Sequence, residues 1–147
     1  SACSASLTHA GALIPKRGME KRILEGFISD LSPKKAVQVL PSDTLLKAVE
    51  SMRKAKIGCV LAVEGGACLG LLSERELIQK VPETAELSKT LVSEIMRRDS
   101  TSLKAEDPIA DVFHHMAVSG HLHIPISLSD GGFGIVSARD LLHYLCK

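Results

Sequence analysis

Two rhythms of apolar residues alternate along this chain, and the full succession occurs twice. Over residues 20–31 the apolar positions Ile23, Leu24, Phe27, Ile28 and Leu31 share one helical face, and Leu87, Leu91, Val92, Ile95 and Met96 do so again. A short extended piece follows each, at 36–40 and 100–104. Asp43 and Asp107 then read as helix N-caps, and Pro108 suits a first helical position because it needs no amide hydrogen. The helices they open carry Leu45, Ala48, Val49 and Met52, then Ile109, Val112, Phe113 and Met116, both sets spaced i, i+3, i+4, i+7. Next, runs 57–63 and 68–72 flank Glu64-Gly65-Gly66-Ala67, and runs 123–128 and 133–136 flank Ser129-Asp130-Gly131-Gly132. Short glycine loops between apolar runs predict β-hairpins. A last helix begins at Ser73 or Ser137.

The two passes align without a gap at an offset of 64 residues: Ser29/Ser93, Asp43/Asp107, Met52/Met116, Gly70/Gly134, Ser73/Ser137, Arg75/Arg139 and Leu77/Leu141 are identical pairs. A two-copy repeat of this length predicts two pseudo-symmetric α/β half-domains that share a core. The expected division is an N-terminal arm over 1–19, a first repeat over 20–82 and a second over 83–147. The arm has no acidic residue over 1–18 and carries Lys16-Arg17, which leaves organellar targeting open beside the plainer reading of an arm upstream of a start at Met19.

At 147 residues each half is near the length where one core is marginal alone. With 3% aromatic residues and no Trp, that core must be built from Leu, Ile, Val, Ala and Met. A net charge of +1, with cations interspersed among acids, argues against a nucleic-acid partner. No apolar run approaches membrane-spanning length. Cys3, Cys59, Cys68 and Cys146 form no metal-type spacing, and two of them sit in strand-like runs, which fits reduced thiols and a cytoplasmic location.

The ordered set "VSEIMRRD", Asp107 through Met116, "HIPIS" and "GIVSARDLL" in the second copy, with "PSDTLLKAVESM" and "LGLLSERELI" in the first, resembles the cystathionine-β-synthase (CBS) domain family in its tandem-pair form. The resemblance implies two CBS-type half-domains about a pseudo-twofold axis, with clefts that hold adenosine-containing ligands such as AMP, ADP, ATP or S-adenosylmethionine. It implies a regulatory module with no required cofactor, a homodimer, and an unidentified regulated protein as partner. No phosphate loop, nucleophile arrangement or zinc motif points to an enzyme.

The family's ligand signature is Ser/Thr-x-x-Asp at the start of the last helix. Amide hydrogens at a helix N-terminus and a hydroxyl suit a phosphate, and a carboxylate one turn on can accept ribose hydroxyls. Ser137-Ala138-Arg139-Asp140 matches: Asp140 would hold the ribose, and Ser137 and Arg139 the phosphate. By the same resemblance Ser102 would lie beside the nucleoside, His121 and His123 near the phosphates, and Ile124 and Pro125, with Leu103 and Ile126, against the base. Ser73-Glu74-Arg75-Glu76 departs by Glu for Asp, and Cys59 stands where the second copy has His123. Ser-x-x-acid is equally a capping box. A ligand-free interaction scaffold is therefore the competing reading. His114 and His115 are expected on the exposed side of their helix.

Overall fold

Gly65 and Gly66 both have positive φ, 60° and 78°. That is the backbone of a two-residue turn whose twist matches its strands. It joins β3 (Cys59–Glu64) to β4 (Ala67–Ser73) in a computed structural model that describes residues 25–99 and 103–146. The second hairpin, β6 (His123–Ser127) and β7 (Phe133–Ser137), has a longer loop closed by Leu128 N–H to the Gly132 carbonyl at 2.9 Å. The remaining strands are short: β1 (Lys34–Lys35), β2 (Gln38–Val39) and β5 (Arg97–Arg98). The helices are α1 (Leu45–Ala55), α2 (Glu74–Lys80), α3 (Val92–Ile95), α4 (Ile109–Ser119) and α5 (Ala138–Leu145), with a 3-10 turn at Ile28–Leu31. None of the described helices is long and apolar enough to cross a membrane.

The 64-residue offset carries one set of elements onto the other. It takes α1 onto α4 and the 3-10 turn onto α3, end for end. The described residues nevertheless form two compact units that cut across the repeats. The middle unit runs from Lys35 to 99, and the terminal unit combines 25–34 with the chain from Leu103 onward. The repeats exchange their leading segments. In the terminal unit Ile28 and Leu31 pack with Ile109, Val112, Ile124, Ile126, Val136, Leu141 and Leu145. In the middle unit Val92 and Ile95 pack with Leu45, Ala48, Met52, Val60, Ala62 and Leu72. The sheets repeat the exchange, in the orders β1-β7-β6 and β2-β3-β4-β5. The matched glycines mark where the exchanged segments press closest. A Cβ on Gly70 would come within 2.7 Å of the Arg97 carbonyl oxygen, and one on Gly134 within 3.1 Å of that of Lys34.

Two local expectations change. Thr44, not Asp43, caps α1, its hydroxyl accepting from Lys47 N–H at 3.2 Å, and Pro108 occupies the cap position of α4. Asp43 and Asp107 instead close the turn before each helix, accepting from Leu40 and Lys104 N–H, both at 2.8 Å. The stripe from Leu87 to Met96 yields only the single turn α3. The backbone before it is hydrogen-bonded elsewhere: the Thr90 carbonyl accepts from Leu45 N–H and the Leu87 carbonyl from Leu46 N–H. These carbonyls take up unpaired amides at the start of α1 and leave the helical ladder. The inner stripes of α1 and α4 are covered within their own units. Leu45, Ala48, Ile109 and Val112 are fully buried, and the large apolar side chains left exposed on α4 are Phe113 and Val118.

Candidate functional site

Hairpin register sets the chemistry at the start of the last helix of each repeat. In the terminal unit β6 and β7 pair so that His123 stands opposite Ser137. Ser137 has extended dihedrals (φ −103°, ψ 161°) and caps α5. Its Oγ accepts from Asp140 N–H at 3.1 Å, and its own N–H donates to Asp140 Oδ2 at 2.9 Å. A capping box of this kind satisfies two orphan amides reciprocally. It leaves the Ser137 hydroxyl proton outside the box, and Asp140 Oδ1 accepts no hydrogen bond among the described residues. Asp140 is half-buried and Arg139 exposed.

Both residues line a cavity of about 300 Å³ with Asp30, Leu31, Ser32, His143 and Tyr144. The i+3 and i+4 spacing of His143 and Tyr144 from Asp140 puts them on the same helix face, a relation legible in the sequence. Asp30 and Ser32 reach the cavity on the exchanged 3-10 turn, where Ser32 takes a left-handed conformation (φ 50°). No local signal places residues so distant in sequence beside Arg139.

The other expected site residues divide. Ile124 is fully buried in the terminal unit's core with Ile126 and Val136. Pro125, one residue along the strand, is buried on the opposite strand face, the face it shares with His123. His121 lies in the turn before β6 and is half-buried. Ser102 lies outside the described residues. His114 is exposed as expected. His115 is not: it is half-buried, its Nε2 is shielded from solvent, and its ring centroid lies 6.1 Å from that of His121.

The first motif has the same register, with Cys59 opposite Ser73. Its chemistry is closed. Glu76, one methylene longer than aspartate, reaches back so that a single oxygen, Oε1, accepts both the Ser73 N–H (2.9 Å) and the Ser73 hydroxyl proton. The Ser73 Oγ in turn accepts from Arg75 N–H at 3.2 Å. Both motif residues are buried, Glu76 at 6% exposure. Burial pushes the Cys59 thiol up to about 11; the Arg97 cation opposes this, and the Glu76 and Glu74 carboxylates add to it. Arg97 is itself held by Asp99 at 2.9 Å.

The CBS domain sequence profile matches residues 28–83 and 92–147. A CBS domain-containing protein of Arabidopsis thaliana, CBSCBSPB1, is 24% identical over 128 residues, 85% of this chain, and the chain spans 23% of that protein's length. A CBS domain protein of Pyrobaculum aerophilum, solved in complex with AMP, superposes with a TM-score of 0.68 at 17% identity, covering 83% of this chain and all of that one. The CBS domain pair of the protein MJ0100, solved with methylthioadenosine and S-adenosyl-L-methionine, gives 0.67 at 18% identity over 80% of this chain and 94% of that one. Two profile matches in tandem, each over a repeat with its own hairpin and capped last helix, make this chain a member of the CBS domain family, with a pair of CBS repeats.

Proposed function

We propose that this CBS pair is a regulatory module that binds an adenosine-containing ligand of the AMP, ADP, ATP or S-adenosylmethionine class at the second motif. The observation that carries the reading is the set of groups at the start of α5. His123 stands opposite Ser137, and Asp140 keeps a carboxylate oxygen outside the capping box. Asp140 Oδ1 accepts ribose hydroxyls, the Ser137 hydroxyl and Arg139 guanidinium donate to phosphate, and His123 adds a donor when protonated. Pro125 shares the His123 face of the strand and offers apolar surface. Ile124 lies in the core and acts only by holding that strand. AMP and S-adenosylmethionine complexes of structurally similar CBS proteins support the ligand class. The first motif is structural in this reading, because Glu76 occupies its own serine.

Binding is transmitted to a regulated partner protein or a second copy of the chain, in a reducing, cytoplasmic setting that suits the free thiols of Cys59, Cys68 and Cys146. Phe113 at 42% exposure and Val118 at 74% give α4 an apolar outer surface fit for a homodimer. Calorimetric titration with AMP, ADP, ATP and S-adenosylmethionine tests the ligand. Binding that Asp140→Asn weakens at least about tenfold, with Glu76→Gln unaffected, is expected. No binding by any of the four leaves the ligand-free scaffold, which the capping box present at each motif favours.

A further inference from the structure

The end of α4 is built as a clamp on two imidazoles. Gly120 adopts φ 74°, and its N–H donates to the Met116 carbonyl at 2.8 Å, which ends the helix and turns the chain back. Ser119 fixes the return: its hydroxyl donates to the His115 carbonyl at 2.7 Å and accepts from His121 N–H at 3.1 Å. One serine thus ties the backbones of the two histidines together. The rings follow, with centroids 6.1 Å apart at 51° and ligating nitrogens within 4.8 Å of one another. The Nε2 of His115 is shielded from water and makes no hydrogen bond among the described residues. A buried imidazole nitrogen left in that state is destabilising unless something else satisfies it.

We infer that His115 and His121 form a binding site for a transition-metal divalent cation of the Zn²⁺ class. Neutral imidazole nitrogen is a ligand of choice for such ions, at about 2.0–2.1 Å from zinc. Tetrahedral binding needs the two nitrogens roughly 3.3 Å apart, and theirs already lie within 4.8 Å. The C-terminal end of α4 adds a favourable field, since the partial negative charge of a helix C-terminus attracts a cation. Water or a further oxygen donor completes the shell. His121, which the resemblance puts near the phosphates, is assigned to the metal here, and the contacts to ribose and phosphate through Ser137, Arg139 and Asp140 need neither histidine. It does bear on them mechanically, because a metal there pins the turn that leads directly into His123.

Zn²⁺ titration of the full chain against a chromophoric competitor chelator tests the site, with Co²⁺ substitution for its spectrum. One equivalent is expected, with Co²⁺ d–d bands and no thiolate charge-transfer band, which separates the site from the cysteines. His115→Gln and His121→Gln should each weaken binding at least about tenfold, and Ser119→Ala, a positioning change, about tenfold, while His114→Gln, one residue away and exposed, leaves it unchanged. The same variants are followed by circular dichroism, so that loss of fold is distinguished from loss of ligand. If His115→Gln does not fold, Ser119→Ala and His121→Gln carry the test. No one-to-one binding, or binding equally strong in folded His121→Gln, would overturn the assignment. Loss of nucleotide binding by Asp140→Asn with metal binding intact would leave it standing.

Discussion

The two Ser-x-x-acid motifs share a register, a helix position and a capping role, yet one is shut and the other open. In the first, Glu76 takes the amide and the hydroxyl proton of Ser73 on one oxygen and is buried with it, opposite a Cys59 thiol pushed up to about 11. In the second, Asp140 is too short to reach the Ser137 hydroxyl, accepts only its amide, and stands beside His123's strand partner with one oxygen spare. A single methylene decides whether the acid is spent on its own helix or is available to a ligand. Two copies of a motif are therefore not two copies of a site.

The largest contrast expected is in reactivity at the position facing each serine. A thiol raised from 9.0 to about 11 has roughly a hundredth of the thiolate of an ordinary cysteine at neutral pH. Alkylation followed by peptide mass spectrometry should find Cys59 modified about a hundredfold more slowly than a free thiol, and exposed Cys146 modified first. The sign for stability follows. The unfolded chain loses the Cys59 proton near pH 9 and the folded chain near 11, so the unfolded state binds fewer protons between them and stability falls over that window, by about 2–3 kcal/mol if no other group titrates. Denaturant midpoints of the wild type and Cys59→Ser from pH 8 to 11 check this; parallel curves would show that the closed site does not disfavour the thiolate.

The glycine that seats the exchanged segment comes next. Gly70→Ala, with a Cβ 2.7 Å from a carbonyl oxygen, is expected to cost about 2–3 kcal/mol, and Gly134→Ala, at 3.1 Å, about 1 kcal/mol, both read from urea unfolding. Equal costs would mean that the two exchanges are equally tight. Smaller again is the difference between the acids. Glu76→Ala strands a buried amide and hydroxyl and should cost about 2 kcal/mol, against about 1 kcal/mol for Asp140→Ala, which removes a cap at a more open position. A reversed order would contradict the picture of one closed and one open motif. The smallest effect is a gain: Cys59→His with Glu76→Asp, made together, should add weak adenosine-ligand binding at the first motif, seen as a rise in calorimetric stoichiometry. An unchanged stoichiometry would locate the difference outside these two residues.

Much of this was legible from residue order. The i, i+3, i+4, i+7 stripes of α1 and α4 and the Gly65-Gly66 turn are local signals, and local geometry realises them directly. Asp43 and Asp107 were misread by one residue, because an aspartate that closes a turn and one that caps a helix look alike until the backbone amide it faces is known. The stripe before α3 failed for a different reason: its carbonyls pair with the start of α1, a competition that periodicity does not record. The Ser137–Asp140 motif and its register with His123 follow from hairpin length, but its cavity wall from Asp30 and Ser32 does not.

What the sequence alone determined is most of the elements and most of both cores, since the repeat places Leu45, Ala48, Val60, Ala62 and Leu72 at an offset of 64 from Ile109, Val112, Ile124, Ile126 and Val136 and burial follows the apolar period. What only the tertiary structure decided is which copies of those residues share a core. Ile28 and Leu31 pack with Ile109 and Ile124, and Val92 and Ile95 with Leu45 and Val60, because a short turn cannot bury its apolar side alone and two repeats with the same order of elements offer it two similar places to do so. The same holds for the chemistry. Residue types named the acids and histidines, but whether Glu76 closes on Ser73 and whether His115 meets His121 depends on side-chain reach and on a helix end that turns back, distances of a few ångströms that no residue order specifies.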